Sequence, residues 1–267
     1  MNKSEFLKLH EPNRPLTLLN IWNEESAKDL ENQDVKVVAS SSFGVASSSN
    51  QEDGQQISLN QAVDVFGNLS PNTFKSLDFE AGYSDDMFGF QRNIEYLINK
   101  KINGINLEDK LPGEDTLQGI TKFTEKLNML KSIDNKNELF VNIRTDSFFQ
   151  GDVILQNKNT ELLRNTIKRI NHYEKYSIDG IFIPGLKNKE FIRTISRNIS
   201  IPLNIMLDIE KDNVEDYLSL GISRISFGPS TYIEKSKTNI SVDRYFKQKI
   251  DQLSYLDNNR LINLARR

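Results

Sequence analysis

Apolar residues recur along this chain in two alternating rhythms. Short branched and aromatic runs bounded by turn formers mark strands, and longer stretches with apolar positions three or four apart mark helices. Strand runs fall at residues 17–22, 35–42, 73–83, 104–108, 139–144, 179–183, 202–207 and 222–227. Between them the spacing predicts a helix capped by Asn23 or Ser26 and running to Leu30, then helices over 58–69, 87–100, 115–132, 160–176, 189–197 and 214–220. In the 87–100 helix, Phe88, Ile94, Leu97 and Ile98 are expected to face the core. A short leading helix stops ahead of Pro12 and Pro15, which cannot continue it. Eight strands alternating with helices imply a parallel sheet with right-handed crossovers, and the count of eight favours closure. The expected fold is a single (β/α)8 TIM barrel spanning 1–267. Its segment 242–267 forms a C-terminal helical extension that carries Tyr245, Phe246, Ile250, Leu253 and Leu256 at helical spacing.

Composition narrows the class without changing this picture. A formal charge of −3, from 34 basic and 37 acidic residues mixed along the chain, gives no electrostatic case for nucleic acid or an anionic membrane. A small anionic substrate remains compatible with a locally positive site. The chain has no cysteine, which removes disulfides, thiolate ligands and thiol catalysis together. The amino terminus lacks an apolar signal core and no later segment approaches a membrane span. The expectation is a soluble, cytoplasmic protein.

A barrel gathers its chemistry where strands end and the following loops begin. Polar residues sit there in pairs two apart, which share a face if the strand continues through both. The pairs are Asn20 and Trp22, Ser40 and Ser42, Asp78 and Glu80, Asn106 and Glu108, Asn142 and Arg144, with Asn204 alone. Asp78, Glu80 and Glu108 together supply oxygens for one divalent cation such as Mg2+, some of them through water. The plainer reading of Asp78 and Glu80 is an edge strand with a solvated acidic face. Arg144 can hold a carboxylate or phosphonate in two parallel bonds, or pair with Glu108 or Asp146. Ser42-Phe43-Gly44 offers a hydroxyl and successive amides as a nest for an oxyanion. The polar stretch 47–54 reads either as a linker or as a loop covering the site. His10 and His172 are expected at the surface. The donor set points to an α-oxo or α-hydroxy carboxylate whose enolate is stabilised.

The stretches Asn20-Ile21-Trp22, Ser42 to Ala46, Asp78-Phe79-Glu80-Ala81-Gly82-Tyr83, Ile105-Asn106-Leu107-Glu108-Asp109, Asn142-Ile143-Arg144-Thr145-Asp146, Asp179 to Gly185 and Pro202-Leu203-Asn204 occur in an order that resembles the isocitrate lyase / phosphoenolpyruvate mutase superfamily. The resemblance spans about residues 17–230. It implies a (β/α)8 barrel, Mg2+, and the making or breaking of a C–C or P–C bond beside an oxyanion. It further implies Asp78, Glu80 and Glu108 around the metal, and Trp22, Ser42, Phe43, Gly44, Arg144 and Asn204 around the substrate. Arg144, Glu108 and Asp53 would be the catalytic groups, Asp53 lying in the polar loop. After Glu108 the chain departs from the lyases, whose Lys-Lys-Cys-Gly-His segment is replaced by Asp109-Lys110-Leu111-Pro112-Gly113-Glu114-Asp115. The long gating loop of the mutases is absent as well, and Pro184-Gly185 stands where they carry a histidine. The chain is similar to the short-loop, carboxyphosphonoenolpyruvate mutase-like branch. A C–C lyase or hydrolase is the first expectation, a phosphonomutase the second and a silent ligand-binding barrel the third. Lys110 and Tyr83 are candidate proton donors, each with a plainer reading as an exposed lysine and a structural tyrosine. The superfamily often swaps its last helix onto a neighbour, which implies a dimer or tetramer.

Overall fold

The first strand run divides in two at Leu19, giving β1 (Leu16–Leu18) and β2 (Asn20–Ile21). The computed structural model describes every residue except 1, 112, 115, 135, 137 and 267. In it β3 (Val37–Ser40), β4 (Phe74–Asp78), β5 (Gly104–Glu108), β6 (Phe140–Arg144), β7 (Gly180–Ile183), β8 (Leu203–Met206) and β9 (Arg224–Ser226) follow in order. All ladders are parallel, and the sheet order is β1-β9-β8-β7-β6-β5-β4-β3-β2. The two ends of that order are consecutive in the chain. Leu16 to Leu18 pair with Arg224 to Ser226, while Asn20 and Ile21 pair with Ala39 and Ser40, so the split strand joins the two edges. Eight barrel strands result, and the expected (β/α)8 barrel is the fold observed.

The helices are α1 (Lys3–Leu7), α2 (Glu24–Glu31), α3 (Ser42–Ser48), α4 (Leu59–Asp64), α5 (Met87–Asn99), α6 (Ile120–Ile133), α7 (Val153–Gln156), α8 (Thr160–Tyr173), α9 (Lys189–Asn198), α10 (Pro229–Ser236) and α11 (Val242–Asn258). Asn23 caps α2 reciprocally with Ser26, and Ser58 caps α4 with Gln61, as N-cap chemistry requires. Outward-facing strand residues such as Ile105, Leu107, Ile143, Ile181 and Ile205 are fully covered by helices, as expected of a parallel sheet with a helical jacket. The barrel interior is polar instead. Asn142 donates from Nδ2 to Asn106 Oδ1 at 2.9 Å and to Asn204 Oδ1 at 3.1 Å, and Arg224 Nη2 donates to Ser76 Oγ at 3.1 Å.

Four expectations change. The run after Val37 stops at Ser40, and Ser42-Phe43-Gly44 is the first turn of α3, capped by Ser41, instead of an extended strand end. α5 buries Phe90, Ile94 and Leu97, spaced four and three apart, which turns Phe88 outward at 67 % exposure beneath the Arg92 guanidinium. His10 is buried, its ring stacked on Phe140 and edge-on to Phe6. α6 begins at Ile120, and the expected start at Asp115 lies outside the described residues.

The C-terminal segment packs on its own barrel. Tyr245, Phe246, Ile250, Leu253 and Leu256 of α11 are buried; Phe246 stacks on Trp22 at 5.4 Å, and Gln33 beyond α2 donates to Asp243 at 2.8 Å. That apolar face is covered within the chain, as an extended C-terminal helix on its own barrel. Past α11, backbone bonds tie Asn263 to Pro15 and Thr17, and Ala265 to Lys36. Among the described residues no helix is long and apolar enough to cross a membrane.

Candidate active site

Parallel strands end on a common rim, and here that rim encloses a cavity of about 50 Å³. Ser42, Phe43, Asp53, Asp78, Asn106 and Arg144 line one side of it, and Phe149, Phe182, Pro184, Met206 and Pro229 line the other. Asp78 is the last residue of β4. Its backbone N–H donates to Ser40 Oγ at 3.0 Å, and its Oδ2 accepts from the Ser42 N–H at 3.3 Å. Asp78 Oδ1 is buried without a hydrogen-bond partner. Burial raises the Asp78 carboxyl above the usual range; the nearby Arg144 charge opposes this and the Asp53 charge adds to it.

Arg144, at the end of β6, is wedged between acids. Nε and Nη2 donate in parallel to Asp146 Oδ1 and Oδ2 at 2.6 and 2.9 Å, and Nη1 stands 3.2 Å from Glu108 Oε2. Burial alone would lower its pKa, yet Glu108 and Asp146 hold it well above the ordinary value. The guanidinium is therefore a fixed positive charge in the cavity wall. The edge expected to clamp a substrate is already engaged by Asp146.

The expected three-carboxylate ligand set does not assemble. Among the described residues no group of three or more histidine, aspartate or glutamate side chains converges closely enough to hold an ion. β4 ends at Asp78 and Glu80 takes a positive φ of 45°, so the two no longer alternate along a strand. Glu80 turns instead to accept from the Tyr83 hydroxyl at 2.7 Å, and Glu108 lies beyond Arg144. Burial nevertheless pushes Glu80 up to about 8, against the Tyr83 bond and with the charges of Asp78, Asp53 and Glu108 adding. Burial likewise pushes Glu108 up to about 7 despite Arg144. One orphaned carboxylate oxygen beside the acids Asp53, Glu80 and Glu108 fits a hard cation, which Asp78 would hold with those acids in its surroundings.

Three expected substrate contacts are elsewhere. Trp22 is packed between Phe246 and Tyr232, and Gly44 lies against it, since a Cβ at Gly44 would stand 3.0 Å from Trp22 Cβ. Asn204 is in the barrel interior, donating to the carbonyls of Ile205 and Arg224. The Ser42 to Gly44 amides are partly spent, because the Gly44 N–H donates to Ser41 Oγ at 3.4 Å and the Ser42 N–H serves Asp78. The polar loop behaves as a cover: exposed Asp53 lines the cavity, and Gln55 accepts from the Tyr83 N–H. Tyr83 points to Glu80, and Lys110 forms a bridge with Leu117. Sequence reasoning missed Phe149, Phe182, Met206 and Pro229, because an apolar residue at a strand end gives no chemical signal.

Comparison with known proteins places this geometry. Residues 6–240 match the phosphoenolpyruvate phosphomutase family. An uncharacterized protein of Mycobacterium tuberculosis (strain H37Rv) is 28 % identical over 228 residues, covering 85 % of this chain and 83 % of the relative. A proposed phosphonomutase from Burkholderia cenocepacia J2315 superposes with a TM-score of 0.81 at 26 % identity, covering 88 % of this chain and 96 % of that one. 2,3-Dimethylmalate lyase has the same fold, with a TM-score of 0.73 at 16 % identity over 97 % of this chain and 99 % of that one. So does oxaloacetate acetylhydrolase in its complex with the product oxalate, with a TM-score of 0.75 at 15 % identity over 96 % of each chain. The match across most of its length makes this chain a member of the phosphoenolpyruvate phosphomutase family.

Proposed function

We propose that this protein is a Mg2+-dependent C–C lyase or hydrolase acting on a small 2-oxo or 2-hydroxy carboxylate through an enolate-type intermediate. The observation that carries the reading is Asp78 Oδ1, a buried carboxylate oxygen without a partner, on a residue that lines the same small cavity at the strand ends as the fixed charge of Arg144. Bound there by Asp78, Mg2+ would supply Lewis-acid stabilisation of a developing enolate. The chain's own groups supply position and charge. The Arg144 charge and the Asn106 amide would give a carboxylate head its counter-charge and a donor, and Asp146 keeps the guanidinium from rotating away. Asp53, exposed and in the lining of the same cavity, would be the group that transfers the proton. The solved relatives that act on oxaloacetate and 2,3-dimethylmalate support this substrate class.

The second reading is a phosphonomutase, favoured by the Burkholderia relative. NMR of 2-oxo acids, substituted malates and phosphonates incubated with the protein and Mg2+ separates the two, since one breaks a C–C bond and the other moves phosphorus. Phosphorus transfer without any C–C cleavage would replace the first reading with the second. Magnesium-independent turnover would remove the metal from it. The protein is also proposed to be a cytoplasmic homo-oligomer.

A further inference from the structure

A second cavity, of about 280 Å³, adjoins the first on the rim of β7, β8 and β9. The two share Phe149, Met206 and Pro229 as walls, and the chain alternates between them, with Ser226 and Gly228 lining the small cavity and Phe227 lining the large one. Gly228, at φ 51°, lets Met206 lie across the partition, where a Cβ would meet the Met206 sulfur at 2.5 Å. An unbranched thioether in that place can change rotamer and open the passage.

The two cavities differ in chemistry. The small one holds Asp53, Asp78 and Arg144 and is much the tighter of the two, at about 50 Å³ against about 280 Å³. The large one is walled by Val153, Leu207, Phe227, Pro229 and Ile233. Its lysines bring no net charge. Lys187 pairs with Asp212, Lys211 with Asp208 at 3.2 Å, and Lys237 with Glu234 at 2.6 Å. A cavity of about 150 Å³ lined by aliphatic and aromatic groups already takes a benzene ring, so this one takes a branched alkyl or aryl group. A polar head bound next to such a space carries its substituent into it.

We infer that the substrate bears an uncharged apolar substituent of about four to seven carbons on the carbon chain beyond its 2-oxo or 2-hydroxy acid head, and that the Phe149–Met206–Ile233 cavity is its binding subsite. The inference rests on the functional reading above and names the substrate class within it. Affinity then rises with substituent size, about fourfold for each methylene buried.

The test is calorimetric titration of the Mg2+-loaded protein with pyruvate, 2-oxobutanoate, 4-methyl-2-oxopentanoate and phenylpyruvate, repeated on Ile233→Asp. Ile233 is partly exposed in α10, so the variant folds, and circular dichroism checks this. The expected result is a ladder of affinity that rises at least tenfold from pyruvate to phenylpyruvate, with that ratio collapsing in the variant. Pyruvate binding with a flat or falling ladder overturns the subsite and leaves the functional reading standing. Binding of none of the four acids removes the functional reading, and the subsite with it. A change of oligomeric mass in Ile233→Asp by light scattering, with a flat ladder, assigns the groove to contact between copies and overturns the inference.

Discussion

Asp78 carries a cost in the folded chain that the proposed cation would offset. Its Oδ1 is buried and unpartnered, which carries a desolvation penalty of about 1–3 kcal/mol. If the proposed Mg2+ binds there, it raises the melting temperature of the parent, and Asp78→Ala is expected to abolish turnover and that rise while leaving the melting temperature in a chelator unchanged or higher. Destabilisation of the chelated variant would mean that the bond from the Ser42 N–H to Oδ2 outweighs the desolvation of Oδ1. For Arg144, lysine keeps the charge and loses the two parallel bonds to Asp146. Arg144→Lys should lower kcat/KM by roughly 100-fold or more; a loss under threefold would show that position does not matter. His10 sets a pH dependence far from the site. Burial, with the Arg224 charge adding, lowers its pKa from 6.5 to about 3, and its Nδ1 donates to the Phe6 carbonyl at 3.0 Å. Because the folded pKa is depressed, the unfolded chain takes up a proton at this group below pH 6.5 while the folded one does not. The stability is complete above pH 6.5 and is lost as pH falls toward 3, by up to about 1.4 kcal/mol per unit. In urea unfolding, His10→Gln should lose less stability than the parent between pH 7 and pH 5.

At the scale of elements, α3 depends on a close approach. Gly44 sits against Trp22, so Gly44→Ala forces a shift of helix or indole and is expected to cost about 1–3 kcal/mol in urea unfolding. An unchanged midpoint would show that α3 yields freely. The strands were legible because their apolar runs are short, regular and set off by turn residues. The 3-10 helix Val214–Leu220 coincides with its expected span, and α11 buries every residue that its spacing singled out. What escaped were places where tertiary context overrides local pattern. α3 was hidden between an expected strand end at Ser42 and a polar stretch from Ser47, yet Ser41 caps it and Val45 and Ala46 bury it. Glu80 obeys the two-residue rule only while the strand lasts, and a left-handed residue ends that rule just where the ligand set was expected. Of the expected site, Ser42, Phe43, Asp53, Asp78 and Arg144 reach the cavity. Asn204 and Trp22 do not, since polarity at a strand end cannot tell a rim residue from an interior one.

The whole molecule is a barrel with a polar interior, in which Arg224 is fully buried with Nε and Nη1 unpartnered. Burial lowers its pKa to about 10, opposed by the Asp78 charge. The clasp past α11 matters at this scale too, because Thr17 and Lys36 each donate a backbone N–H to it. A chain shortened after Asn258 is expected to lose hydrogen-exchange protection at those two amides first, while β5 and β6 stay protected. Equal loss in all strands would mean that the barrel opens only as one unit. The split first strand has a further consequence, for the nascent chain. β1 waits for β9, whose residues lie more than 200 positions later, so during synthesis the β1 edge has no strand partner until β9 has emerged. Such an edge is a template for mispairing between polysome neighbours, and the yield of soluble enzyme should depend on translation speed and chaperone supply more than the finished barrel's stability would suggest.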